Sequence, residues 1–148
     1  MGMKTVAIIG ALDEEVALIA KSLTHVTHTA KGSLDIVSGT VDSFGSDVIK
    51  VAATVGGMGL VNAAATTQLL IDEIAPDAVI FSGIAGNLNT HLHINDVVLG
   101  GTLRYLDTDM RLVGQFKPGT ADRPIEEYHS DDRLLELADQ ALNDLNIH

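Results

Sequence analysis

Apolar and polar positions follow two different periods along this chain. The uncharged run Val6-Ala7-Ile8-Ile9 predicts a buried parallel strand over residues 4–9. Directly after it, Val16, Ile19, Ala20 and Leu23 recur at helical spacing and predict a helix over residues 13–23. Residues 34–41 alternate in part and predict a second strand. The cluster Asp42-Ser43-Phe44-Gly45-Ser46 reads as a turn, and residues 47–55 as a third strand that closes a hairpin. Gly56-Gly57-Met58-Gly59 breaks that strand. A long apolar helical pattern then runs over residues 60–74, and Pro76 cannot continue it. Ala78-Val79-Ile80-Phe81 predicts another buried strand, ending at Ser82-Gly83-Ile84-Ala85-Gly86. Residues 87–95 read as a polar loop, 96–99 as a strand and 114–129 as a loop. Ser130 is the expected N-cap of a last helix. Asp131 and Asp132 lie in its first turn, and Leu134, Leu135, Ala138, Ala141, Leu142 and Leu145 form its apolar stripe.

Strands that alternate with helices predict a layered α/β fold, read here as one domain over residues 1–148. The last helix leads into no further strand. The pattern therefore reads as a layered fold that is incomplete on its C-terminal side.

Composition narrows the function classes. With 46% apolar and 20% charged residues, the chain is not of the disordered type. No apolar stretch approaches the roughly 20 residues needed to cross a bilayer, and the N-terminal run does not have a signal-peptide layout. The absence of cysteine excludes disulfides and thiolate metal sites. A cytoplasmic protein is the expectation. The formal charge of −11, with only nine basic residues and those scattered, argues against nucleic acid as a partner.

Chemistry concentrates at three strand ends. The first strand runs into Asp13-Glu14-Glu15. Acids in a first helical turn complement the macrodipole without any catalytic role, but ligands also collect at the carboxyl ends of parallel strands. The loop Gly56-Gly57-Met58-Gly59 allows backbone N–H groups to approach a ligand at a helix start. It does not meet the dinucleotide fingerprint, because Asn62 stands where the third glycine belongs, and no Walker pattern occurs. A ligand-free glycine turn is the plain alternative. Ser82-Gly83-Ile84-Ala85-Gly86 is not a nucleophile elbow, since Ile84 holds the position that serine would need. Small residues there suit tight packing or close ligand approach. Adjacent parallel strands would bring the three segments to one sheet edge, giving a carboxylate, a backbone cradle and a small-residue floor. His91 and His93 read as part of a solvated loop rather than a metal site, His25 and His28 as surface residues, and Asp107 and Asp109 as a structural cluster.

Taken in order, these segments resemble a known family. Ile8-Ile9-Gly10-Ala11-Leu12-Asp13-Glu14-Glu15-Val16 resembles the opening of 5′-methylthioadenosine/S-adenosylhomocysteine nucleosidases, of the nucleoside phosphorylase superfamily. Gly57-Met58-Gly59-Leu60-Val61-Asn62-Ala63-Ala64 is similar to their Gly-Ile-Gly-x-Val-Asn-Ala-Ala segment. The stretch from Pro76 to Gly86 is similar to their Pro-Asp strand that ends in Thr-Gly-Ser-Ala-Gly. Arg104-Tyr105-Leu106-Asp107-Thr108-Asp109 resembles their Arg-Tyr-His-Asp-Ala-Asp. The resemblance implies an α/β/α phosphorylase-like fold with a mixed central sheet, of which this chain is the N-terminal part. It implies hydrolysis of the N-glycosidic bond of adenine thionucleosides, within methionine salvage, with a small-molecule nucleoside as partner and neither cofactor nor metal. By motif position, Glu15 matches the carboxylate that holds the attacking water. Ser82, Ile84, Ala85 and Gly86 match the segment beside purine and water. Leu12 and Met58, between Gly57 and Gly59, match positions near the sugar and alkylthio group. Met110 and Val113 match a segment that reaches into the partner's site across a homodimer.

The sequence departs from that pattern at several points. Ile84 replaces a serine, Leu106 replaces a histidine, and the aromatic residue near position 113 is absent. The family also has a ribose-binding Met-Glu segment and a Ser-Asp motif whose Asp protonates adenine. No segment here matches either, and Ser130-Asp131 opens an amphipathic helix instead. Two other expectations stand beside the hydrolase. One is a non-catalytic nucleoside-binding or dimerisation module derived from the same fold. The other is a mononucleotide-binding α/β domain that uses the 56–59 loop.

Overall fold

The run at residues 6–9 lies inside strand β1 (Lys4–Gly10), the hub of a mixed five-stranded sheet. A computed structural model describes residues 4–42, 48–104 and 127–147. Within it, the residues up to Gly86 and those from Asn87 onward form two compact units.

In the first unit, β1 is followed by α1 (Asp13–Ser22), then β2 (Thr24–Lys31), β3 (Leu34–Asp42), β4 (Val48–Val55), α2 (Leu60–Ile74) and β5 (Ala78–Phe81). The sheet order is β2-β3-β4-β1-β5. Strands β4 and β5 both run parallel to β1, with Ile9 opposite Thr54 on one side and Phe81 on the other. Strands β3 and β4 pair antiparallel, as the expected hairpin requires.

Strand β2 was not legible in the sequence. Its residues Thr-His-Val-Thr-His-Thr-Ala-Lys are nearly all exposed, so this edge strand buries neither face and carries no apolar run. It is held by antiparallel pairing to β3 and by the Lys31–Glu73 ion pair of 2.9 Å at the end of α2.

The two faces of the sheet carry different helices. Ala7, Ile9, Leu34, Ile36 and Ala52 alternate onto one face and pack with Leu70 of α2 into the buried core. Val16 of α1 packs at Gly10 on the other face, which also carries Val51 and Ala53. The result is the layered α/β fold that the sequence pattern predicted, in the α/β/α form with a mixed sheet that the resemblance implied. Helix α2 ends at Ala75, a left-handed residue whose N–H donates to the Ile71 carbonyl. The turn at Pro76 is then clamped to β1, with Asp77 N–H donating to the Thr5 carbonyl and Thr5 N–H to the Asp77 carboxylate, each at 2.8 Å.

In the second unit, β6 (Thr102–Arg104) pairs antiparallel with β7 (Glu127–His129), and α3 (Asp132–Asp144) follows. Three expectations are corrected here. Residues 96–99 are not a strand. The ladder forms at 102–104, where β7 supplies backbone partners, and residues 127–129 accordingly leave the expected loop to become that strand. The N-cap of α3 is Asp131, not Ser130. The Asp131 carboxylate accepts the Leu134 N–H at 3.0 Å, while the Ser130 hydroxyl donates to the Gly100 carbonyl.

Candidate active site

Parallel pairing places the carboxyl ends of β4, β1 and β5 side by side. The ladder continues past the strand ends, since Gly56 N–H donates to the Gly10 carbonyl at 2.8 Å and Ser82 N–H to the Ile9 carbonyl at 3.0 Å. The segments 10–15, 56–59 and 82–86 therefore leave one sheet edge as neighbours.

Of the three acids that open α1, Asp13 and Glu14 face solvent, whereas Glu15 turns back toward the sheet. One carboxylate oxygen, Oε2, accepts the N–H groups of Ala11 at 2.6 Å and Leu12 at 2.9 Å. The other, Oε1, accepts the Ile84 N–H at 2.9 Å. These donors hold the carboxyl below the usual glutamate range, with the Ile84 N–H as the largest cause, against a smaller opposing effect of burial. Glu15 is thus ionised at neutral pH. An ionised carboxylate offers about four acceptor positions, and these three bonds leave one on Oε1, on the side of the Ser82–Gly86 segment. A water there would donate one O–H to Glu15 and keep its lone pairs free for attack.

The glycine loop stands on the other side of β1. Gly57 and Gly59 have φ of 86° and 96°, which L side chains rarely adopt, so the loop depends on glycine at both positions. Asn62 steadies it by donating its side-chain amide to the Met58 carbonyl at 2.7 Å. Gly59 is the N-cap of α2 without any side-chain cap, and no acid follows in the first turn. The first N–H groups of α2 thus remain open to an acceptor. Among the matched positions, Leu12 and Ser82 are half-buried, and Ala85 and Gly86 are exposed. Met58 and Ile84 are 72% and 82% exposed. Met110, Val113, Leu106, Asp107 and Asp109 lie outside the described residues. A separate cleft of about 460 Å³ opens between α1 and the β3–β4 face, floored by Val37, Ala53 and Val55 and rimmed by Asp13 and Asp35. Glu15 is not among its walls.

A family model described as the phosphorylase superfamily matches residues 5–148. The chain belongs to that superfamily. It is similar to the 5′-methylthioadenosine/S-adenosylhomocysteine nucleosidase of Lysinibacillus sphaericus, at 34% identity over 143 residues, covering 97% of this chain and 60% of the relative. The nucleosidase of Halalkalibacterium halodurans is 32% identical, with 98% and 60% covered. Among solved structures, the Neisseria meningitidis nucleosidase in complex with methylthio-immucillin-A superposes with a TM-score of 0.80 at 31% identity, covering 97% of this chain and 59% of that one. The Colwellia psychrerythraea nucleosidase in complex with adenine gives 0.82 at 28% identity, with 97% and 57% covered. The chain thus spans about 60% of the length of the curated relatives it matches.

Within this superfamily member, two features of the site were not singled out from the sequence. One is the Ile84 backbone N–H, whose role is independent of the side chain that replaces the expected serine. The other is Gly83, against which the Glu15 carboxylate lies directly. A glycine just past the end of an apolar strand was the available signal, but it does not say which side chain fills the space. The His91–His93 loop is organised by turn bonds, with His91 N–H donating to Asn89 and His93 N–H to Asp96. No cluster of three His, Cys, Asp or Glu side chains able to share a metal ion occurs among the described residues.

Proposed function

We propose that this chain carries the water-holding part of a hydrolase site for adenine thionucleosides such as methylthioadenosine and S-adenosylhomocysteine. The observation that carries this reading is the seat of Glu15. A single carboxylate at the carboxyl edge of the sheet is ionised and fixed by backbone donors from two strand ends, with one acceptor position free. In the reaction, Glu15 orients a water whose oxygen attacks the anomeric carbon. The bond from that carbon to the purine nitrogen breaks, its electron pair leaves with adenine, and the proton that the attacking water gives up balances the one adenine takes up. Charge builds up on the sugar as in other glycosidic cleavages, and a fixed carboxylate beside it stabilises that charge. Leu12, Gly57, Met58 and Gly59 line the sugar and alkylthio side, and Ser82, Ile84, Ala85 and Gly86 the purine side. The protein works in the cytoplasm as a homodimer, with Met110 and Val113 reaching into the partner's site. Exposed Leu60 and Val61 in the first turn of α2 support an interface.

The test is adenine release from methylthioadenosine by a chimera that joins this chain to the segment the Lysinibacillus sphaericus relative has beyond the matched region. Glu15→Gln should lower turnover at least about 100-fold, in keeping with the loss of a positioned acid–base group. Unchanged turnover would reject the assignment of Glu15. Binding of methylthioadenosine without release of adenine by the parent chimera would favour the non-catalytic module.

A further inference from the structure

A Cβ placed on Gly83 would lie 2.6 Å from Glu15 Oε1, 2.8 Å from Cδ and 3.1 Å from Oε2. The first two distances are shorter than real Cβ atoms allow, so the carboxylate occupies space that exists only because residue 83 has no side chain. The next residue supplies the Ile84 N–H that Oε1 accepts at 2.9 Å. We propose that Gly83 is a positioning residue for Glu15: its missing Cβ forms the seat, and the Ile84 N–H beside it fixes the carboxylate there. The identity of the side chain at 84 is then secondary, which explains how isoleucine stands where the resemblance expects serine. This deepens the reading of Glu15 as the water-holding group and rests on it only for its consequence.

The atoms in the way are the far end of a flexible side chain, not backbone. Gly83→Ala should therefore displace the carboxylate and leave the fold intact. The charged groups beside Glu15 are Asp13 and Glu14 on its own helix. Residues 10–12, 55–59 and 82–86 contribute none, so the Glu15 titration reports mainly on its N–H donors.

The experiment is NMR on the 148-residue chain, following the Glu15 side-chain carboxyl carbon and the amides of Ala11, Leu12 and Ile84 across an acid titration. In the parent, all three amides should shift with one midpoint, that of Glu15, below the ordinary glutamate value. In Gly83→Ala, the Ile84 step should be lost and the Glu15 midpoint should move up. Ile84→Ala keeps the N–H and should preserve the parent behaviour. So should Gly100→Ala, whose new Cβ would meet nothing within 4 Å. The proposal is overturned if Gly83→Ala retains the Ile84 step at the parent midpoint. It is also overturned if the Ile84 amide of the parent does not follow Glu15, a result that needs no variant to fold. None of these readouts depends on hydrolysis, so the inference and the proposed activity fail separately.

Discussion

The Glu15 carboxylate and the Ile84 backbone N–H meet at 2.9 Å across 69 residues of sequence. The contact joins the first turn of α1 to the segment that leaves β5, so one side chain serves both as the helix-start acceptor and as a tie between two strand ends. Its pH dependence follows from the direction of the shift. A carboxyl lowered in the folded state contributes stability that is fully present above its unfolded value and is lost as pH falls through the lowered folded value. Resistance of the parent to urea should fall on acidification below about pH 4.3, the ordinary glutamate value. Glu15→Gln should lack that component, so the gap between the two midpoints should narrow as pH falls. A constant gap would count against a lowered Glu15.

The core rests on α2 as much as on the sheet. Leu70 is fully buried among Ala7, Ile9 and Ile36. Leu70→Ala should cost about 2–5 kcal/mol through lost burial and the cavity left behind. Leu18 is 76% exposed on α1, and Leu18→Ala should stay within about 0.5 kcal/mol. Denaturant midpoints of the two variants, at equal slope, check the contrast.

A tighter constraint sits where α1 turns into β2. A Cβ on Gly39 would lie 2.7 Å from the Thr24 carbonyl oxygen and 2.8 Å from the Leu23 Cβ. Neither obstacle is the far end of a flexible chain, so backbone must move. Gly39→Ala should destabilise by about 1–3 kcal/mol, the usual cost of overpacking. Gly100→Ala, in open space, should not. Thermal unfolding of both variants decides it.

The parallel strands β1 and β5 were readable from their apolar runs, but the expected burial holds only for β1: β5 is an edge strand whose Ile80 and Phe81 are 41% and 61% exposed. Residues 6–9 and 78–81 have no polar positions, and the glycine and proline residues between elements mark the boundaries. The hairpin β3–β4 was readable from its turn cluster. Strand β2 was not, because an exposed edge strand owes its structure to pairing with β3 and carries no periodic signal of its own. The β6–β7 ladder failed for a related reason. Three-residue strands are specified by their partner, and Val97-Val98-Leu99 is more apolar than the segment that actually pairs. The cap of α3 moved by one residue because Ser130 and Asp131 are both good caps, and only the pull of Gly100 on the serine separates them. At the site, the residue types and their shared edge were legible. The seat of Glu15 was not, since it consists of a backbone N–H and an absent Cβ, and neither is visible in a residue name.

Adenine departs poorly unless a ring nitrogen is protonated, and a positioned general acid is typically worth about 10²–10⁴-fold. The three strand-end segments turn one ionisable side chain toward the sheet, Glu15. Its N–H donors stabilise the carboxylate and hold its pKa down, which makes it an acceptor for water and a poor source of protons at neutral pH. Asp13 and Glu14, the other acids of these segments, face solvent. No part of the sequence matches the family's protonating Asp. The purified 148-residue chain should therefore release adenine from methylthioadenosine at least about 100-fold more slowly than the Lysinibacillus sphaericus relative. Adding the relative's remaining segment should restore turnover in a coupled adenine assay. Comparable rates without that segment would mean that another group of this chain delivers the proton, and Glu15 would then not be working as the lone ionised acceptor at this edge.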